Sequence, residues 1–217
     1  MSPLLRRAAR RDTSPATGPA TPGVRRPGSP GTDVALVAVF AALVCALAIT
    51  PALQVGGSGV PITLQTLGIM LCGAVLGPWR GALAVLLYLV LGFAGAPVFA
   101  QGASGLGVLA APSAGFLLAM PLAALVIGAL VRAGVRAAHR TGRRVLVPVS
   151  LVAGCLLGGI AVVYAGGIPG LALNGAMPLD VAARLSLTFL PGDLVKVALT
   201  VLVAAPVHRA FPHLLDR

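Results

Sequence analysis

The sequence predicts an all-α membrane protein of six transmembrane helices with both termini in the cytoplasm. Three observations predict it. The 217 residues are 58% hydrophobic and only 10% charged, whereas a soluble domain needs about 25% charged residues to solvate its surface. Apolar runs near the roughly 20 residues required to cross a bilayer recur along the chain. The basic residues gather in alternate connections between those runs, as the positive-inside rule requires.

In chain order, residues 1–32 are rich in Arg, Pro, Ser, Thr and Gly and cannot bury enough surface to order themselves. They read as a disordered basic N-terminal tail in the cytoplasm, with a transit-peptide-like extension as the competing reading. Residues 33–211 form the six-helix domain, and 212–217 a short C-terminal tail. The first span is Val34 to Ala52, followed by a loop through Gly56–Gly59 and Pro61. Ile62 to Leu76 and Gly81 to Ala94 are the second and third spans, joined by a turn over 77–80. Both are short, so tilt or flanking residues must complete them. A Gly-, Ala- and Ser-rich segment covers 95–111. Pro112 to Val131 is the fourth span and Val145 to Ala165 the fifth. A mixed outer segment over 166–187 holds Asn174, Asp180 and Arg184, and Leu187 to Val207 is the sixth span.

Charge placement fixes the expected orientation. Fourteen of the 16 Lys and Arg residues fall in the tail, the 77–80 turn, the 132–144 loop and the C-terminus. On the outer side stands only Arg184, and Lys196 lies within a span. The net charge of +11 therefore reports topology. Aromatic residues are too few for a nucleic-acid stacking platform, so nucleic acid is not an expected partner. Cys45, Cys72 and Cys155 lie in apolar runs without CxxC spacing and read as small core residues.

Inside a membrane, ionisable residues are costly and informative. Asp193 and Lys196, in Phe189-Leu190-Pro191-Gly192-Asp193-Leu194-Val195-Lys196, are three apart on the sixth span and share a helix face. They either present an acceptor and a donor to one ligand or satisfy each other as a packing pair. Pro191-Gly192 favours a ligand, because a loosened helix start is tolerated where it lines a cavity. Gln101, Gly102 and Ser104 lie in the Gly-rich segment, which is either an ordinary loop or a backbone that approaches a ligand closely. Gln65, with Thr63 and Thr66, begins the second span, where it reaches a ligand or bonds across helices. Tyr164 faces an outer cavity or marks the interface. Gly73-xxx-Gly77 and Gly154-xxx-Gly158 have helix-packing spacing.

Several chemistries are excluded. No G-x-x-x-x-G-K-[ST] phosphate loop occurs. There is no HExxH and no intramembrane carboxylate pair, and no nucleophile lies near a base. The chain reads as a non-enzyme, with no cofactor and no metal site expected.

Five ordered blocks then resemble a known family. They are Ile62-Thr63-Leu64-Gln65-Thr66-Leu67-Gly68, Leu76-Gly77-Pro78-Trp79-Arg80-Gly81, Tyr88-Leu89, Gly95-Ala96-Pro97-Val98-Phe99-Ala100 and the Asp193–Lys196 block. Together they resemble the BioY family, the biotin-binding S components of energy-coupling factor (ECF) transporters, from about residue 34 to 211. The resemblance implies an S-component-like bundle in the bacterial plasma membrane that binds biotin from outside and passes it inward. The implied partners are a transmembrane coupling protein and two ATPase subunits. Asp193 carries over as the contact for the ureido N–H groups and Lys196 as the contact for a ligand oxygen. Gln65, Phe99, Gln101, Gly102, Ser104 and Tyr164 complete the expected ligand set. Ala38 and Ala42 on the first helix resemble the small-residue groove that meets the coupling protein.

The chain departs from the family pattern at Ala103, at Ala111-Pro112-Ser113-Ala114-Gly115-Phe116 and at Leu117. Those departures leave the ligand carboxylate fewer polar partners. Other readings of the residues are a self-contained carrier using Asp193 as a proton or ion site, an S component for another vitamin, and a scaffold.

Overall fold

The computed structural model describes residues 30–50, 63–211 and 215. These form seven helices and two short 3-10 turns, with no strand among the described residues. The expected loop through Gly56–Gly59 and Pro61 lies outside them, as do residues 1–29 of the expected tail.

Helix α1 (Pro30–Ile49) starts inside that expected tail, with Asp33 in its first turn. Helix α2 (Gln65–Leu76) has 12 residues, nearly all buried. A helix apolar on every side is a core helix, and at about 1.5 Å per residue α2 is too short to cross the hydrocarbon alone. Helix α3 (Pro78–Phe93) follows after a single residue. The turn expected over 77–80 is therefore only Gly77, whose φ of 81° is open to glycine. Pro78 takes the first helical position, where its missing N–H costs nothing. Arg80 reaches back to Asp33 on α1 at 3.2 Å.

Helix α4 (Ala114–Thr141) runs ten residues past the expected end of the fourth span and stops at Gly142 in the left-handed conformation. The stretch expected as the 132–144 loop is helical over most of its length because Ala and Arg are strong helix formers. Helix α5 (Leu146–Asn174) also outruns its expected end at Ala165. It passes through a wide π-helical segment, Cys155–Val162, and contains Pro169. The mixed segment expected over 166–187 thus splits into the end of α5, a reversal over 175–178 and a short helix α6 (Leu179–Leu187). Asp180 and Arg184 form an exposed i,i+4 pair at 3.3 Å on α6. Helix α7 (Leu190–Ala210) starts three residues later than expected, with Pro191 in its first turn.

Four helices, α1, α4, α5 and α7, are long and apolar enough to cross a membrane, and α2 and α3 are shorter apolar helices. Large apolar side chains stand exposed on their outer faces, among them Val39, Leu86, Leu122 and Leu202. Such surface is stable against lipid and not against water. Helix α4 sits at the centre, packed on α2, α3 and α5, while α7 packs on α2 and α5. Small residues permit the close crossings: a Cβ at Gly73, Gly154 or Gly158 would meet Ala123, Ala124 or Ile127 of α4. Both expected small-residue motifs therefore place glycines at helix contacts. Cys72 and Cys155 are buried and Cys45 half-buried, all as free thiols.

The α2–α3 break has a further consequence. The last carbonyls of a helix lack intrahelical donors. Gly77 N–H satisfies Gly73, and the buried His208 of α7 takes Ala74, its Nε2 lying 2.8 Å from that carbonyl. Leu215 closes the same end of the bundle against Gly77.

Candidate functional site

At the opposite end of the bundle the starts of α2, α4 and α7 converge on the middle of α5. They line a half-open cavity of about 100 Å³ beneath the 95–113 segment. That is room for several water molecules or one small organic ligand. Its polar side is built on α7. Asp193 and Lys196, one turn apart, close an ion pair of 2.9 Å with side chains only 5% and 8% exposed. Burying two charges costs several kcal/mol unless hydrogen bonds complete them. Two other helices supply those bonds. Lys196 Nζ donates to Thr66 Oγ1 at 2.8 Å, and Tyr164 OH donates to Asp193 Oδ2 at 2.8 Å. Thr66 in turn leans its hydroxyl toward Asp193 Oδ1 at 3.4 Å. An ammonium has three donors and a carboxylate about four acceptor positions. The bonds among the described residues leave capacity on both groups, and both groups line the cavity.

The remaining walls are apolar with a second polar point. Phe116 packs edge-on to Tyr164 (6.2 Å, 83°) and to Phe189 (6.1 Å, 87°). Its ring is seated against Gly167, where any side chain would collide with it. Gln65 is buried, and its amide donates to Met120 Sδ at 3.2 Å. A thioether is a weak acceptor, so the amide is readily turned to a better partner in the cavity.

The roof is attached at both ends. Phe99 wedges over Gly92, edge-on to Tyr88 (5.4 Å) and Phe93 (5.2 Å), and Gly105 N–H donates to Gly92 O at 2.8 Å. At the far end Asn174 Nδ2 donates to both Leu109 O and Ala111 O at 2.9 Å.

Of the residues singled out from sequence, Gln65, Phe99, Tyr164, Asp193 and Lys196 line the cavity. Gln101, Gly102 and Ser104 do not; they stand exposed on the roof. Gln101 itself adopts the left-handed conformation at φ 61°, so this stretch is shaped by its turns, and Ala103 is the residue that faces inward. Ala38 and Ala42 lie exposed on the outer face of α1. Thr66, Phe116, Met120 and Phe189 complete the walls. Thr66 was legible as a polar residue at a span start, but its place between Asp193 and Lys196 depends on packing across more than 120 residues.

Comparison with known proteins decides the family. Residues 21–213 match the BioY family. The chain belongs to the BioY family. Its BioY relatives include the biotin transporter BioY of Rhodobacter capsulatus, 47% identical over 83% of this chain and 95% of the relative. The biotin transporter BioY of Rhizobium etli is 38% identical over the same shares. The fold is similar to the crystal structure of the S-component for biotin from an ECF-type ABC transporter. The TM-score is 0.74 at 28% identity, covering 82% of this chain and 92% of that one. The BioY proteins it matches are transporters, in keeping with a chain that carries no catalytic constellation in its sequence.

Proposed function

We propose that this chain is the substrate-capture subunit of a biotin uptake system, an S component that binds biotin from the outer side of the cell membrane. The observation that carries the reading is the placement of the cavity relative to charge. The cavity lies at the N-terminal end of α4, while Arg132, Arg136 and Arg140 lie at its C-terminal end. The 28 residues of α4 span about 42 Å at 1.5 Å per residue. By the positive-inside rule the basic end is cytoplasmic, so the cavity opens outward. In this reading α2 and α3 cross as a short pair completed by flanking residues and local thinning of the bilayer, the six helices place both termini inside, and 33–211 act as one domain between two tails.

The site chemistry supports biotin. Its ureido group offers two N–H donors and a carbonyl acceptor beside a sulfur-containing ring. Asp193 accepts from the ureido N–H groups and Lys196 donates to a ligand oxygen. Tyr164 and Thr66 hold the pair in place, and Gln65 turns from Met120 toward the ligand. Phe116, Phe189 and Phe99 cover the apolar ring, and Gln101, Gly102 and Ser104 contribute through the roof they form. Delivery inward is driven by a coupling protein that meets the small-residue face at Ala38 and Ala42 and by two ATPase subunits bound to it.

The test is calorimetric titration of the purified protein with biotin. The expected result is saturable one-to-one binding that weakens at least about a hundredfold, or about 2.7 kcal/mol, in Asp193→Asn and in Lys196→Met. No binding by the unaltered chain, or unchanged affinity in both variants, would overturn the proposal.

A further inference from the structure

Asn174 touches neither the cavity nor the Asp193–Lys196 pair, yet it makes the one polar attachment between α5 and the roof among the described residues. A primary amide has two N–H donors on one nitrogen, and here they meet two carbonyls two residues apart, Leu109 O and Ala111 O, both at 2.9 Å. No other small side chain matches that demand. Aspartate has no donor when ionised, serine has one and alanine has none. The backbone beneath Asn174 is also fixed. Helix α5 ends there in a reversal in which Met177 N–H reaches Ala172 O at 3.1 Å and Ala176 N–H reaches Leu173 O at 3.4 Å. This is the paired-bond helix stop that satisfies the final carbonyls, so the amide is presented from a rigid end.

The stapled segment, Leu106–Ala110, is a 3-10 turn with no buried residue of its own. Val108 nonetheless faces the cavity, as do Ala100 and Ala103 nearer the Phe99 wedge. The wedge is apolar and deeply buried, while the Asn174 end is exposed and held by the two amide bonds and by Ala114 N–H to Ala111 O at the start of α4. Exposed hydrogen bonds without apolar burial mark the parts of a structure that open most easily. The roof is thus hinged at Phe99 and latched at Asn174.

We propose that Asn174 is a positioning residue that latches the roof over a bound ligand and so sets how slowly the ligand leaves. This rests on the reading of the cavity as the ligand site. Loss of the latch frees Leu109 O, which water can satisfy, while Ala111 O keeps its bond from Ala114 N–H at 3.0 Å, so the ligand-free fold keeps its stability while the roof loses its hold on α5.

The experiment compares the full chain with Asn174→Ala, Asn174→Asp and Asn174→Ser in detergent. It measures biotin dissociation by displacement, ligand-free melting temperature, and hydrogen exchange of the 102–113 amides. Dissociation should speed roughly tenfold or more in the Ala and Asp variants, equivalent to about 1.4 kcal/mol. Ser, with one donor, should fall between. Melting temperature should hold and the 102–113 amides should exchange faster. Dissociation rates equal to the unaltered chain's would overturn the proposal, as would faster release accompanied by an equal fall in ligand-free stability. If the unaltered chain binds no biotin, the ligand reading fails by itself and hydrogen exchange decides the latch. Faster exchange over 102–113 in the Ala and Asp variants sustains it, and unchanged exchange ends it.

Discussion

Tyr164 and Asp193 come from different helices, 29 residues apart, and meet in a hydrogen bond of 2.8 Å from the phenol to Asp193 Oδ2. The bond ties a two-residue pattern on α7 to a second helix, α5. Lys196 holds one carboxylate oxygen and Tyr164 the other, so the carboxylate is oriented from both sides beside the cavity. Phe116 packs edge-on to the Tyr164 ring, which fixes the phenol in turn.

Tyr164→Phe should therefore lower biotin affinity while leaving the fold intact. A hydrogen bond to a charged group contributes about 1.5–3 kcal/mol. The bond is present without ligand, so the ligand-free protein should melt several degrees lower, and the loosened carboxylate should lose roughly tenfold in biotin affinity, read by calorimetry. Unchanged affinity would mean that Tyr164 does not orient Asp193.

The buried pair makes a prediction on stability that separates charge from shape. Removing one partner leaves an uncompensated buried charge, at a cost of about 3–5 kcal/mol, whereas replacing both with neutral groups is often nearly neutral. Lys196→Met alone should lower the unfolding temperature sharply. Adding Asp193→Asn should recover most of that loss while biotin binding stays abolished. Equal instability in the single and double variants would contradict the pairing.

At the other end, His208 should matter to stability and not to binding. His208→Ala leaves the Ala74 carbonyl buried without its donor, a penalty of about 1–3 kcal/mol. His208→Gln, which keeps an N–H, should recover part of it. Thermal unfolding checks the order His, Gln, Ala, and the biotin affinity of all three should agree.

Ala176 closes the α5 reversal at φ 49°, a conformation that costs a residue with a Cβ about 1–2 kcal/mol. Ala176→Gly should raise the melting temperature by a few degrees with biotin affinity unchanged. A lower melting temperature would contradict the assigned backbone.

The sequence already placed Asp193 and Lys196 on one face, because three-residue spacing on a helix settles that locally. It also placed the small-residue crossings and the membrane-compatible helices, since both are patterns within single segments. Tyr164 and Thr66 were visible as polar residues but not as partners of the pair, because their meeting depends on where α2, α5 and α7 converge. The end of α4 was hidden by its arginines, which suit a solvated loop and a helix equally well. Pro169 and the glycines around it concealed the end of α5, where neighbouring helices hold a segment that local propensity alone would interrupt. In the roof, the polarity of Gln101 and Ser104 suggests ligand contact, yet the turns through Gly102 and Gly105 direct them outward and leave Ala103 lining the cavity.

In the proposed complex biotin lies in this cavity against the Asp193–Lys196 pair. The most direct measurement is a structure of the protein determined with biotin bound. That structure should show the ureido ring within hydrogen-bond distance of Asp193 and Lys196, the apolar ring against Phe116 and Phe189, and the roof closed above. Biotin found elsewhere, or an Asp193–Lys196 pair sealed away from it, would rule this binding mode out.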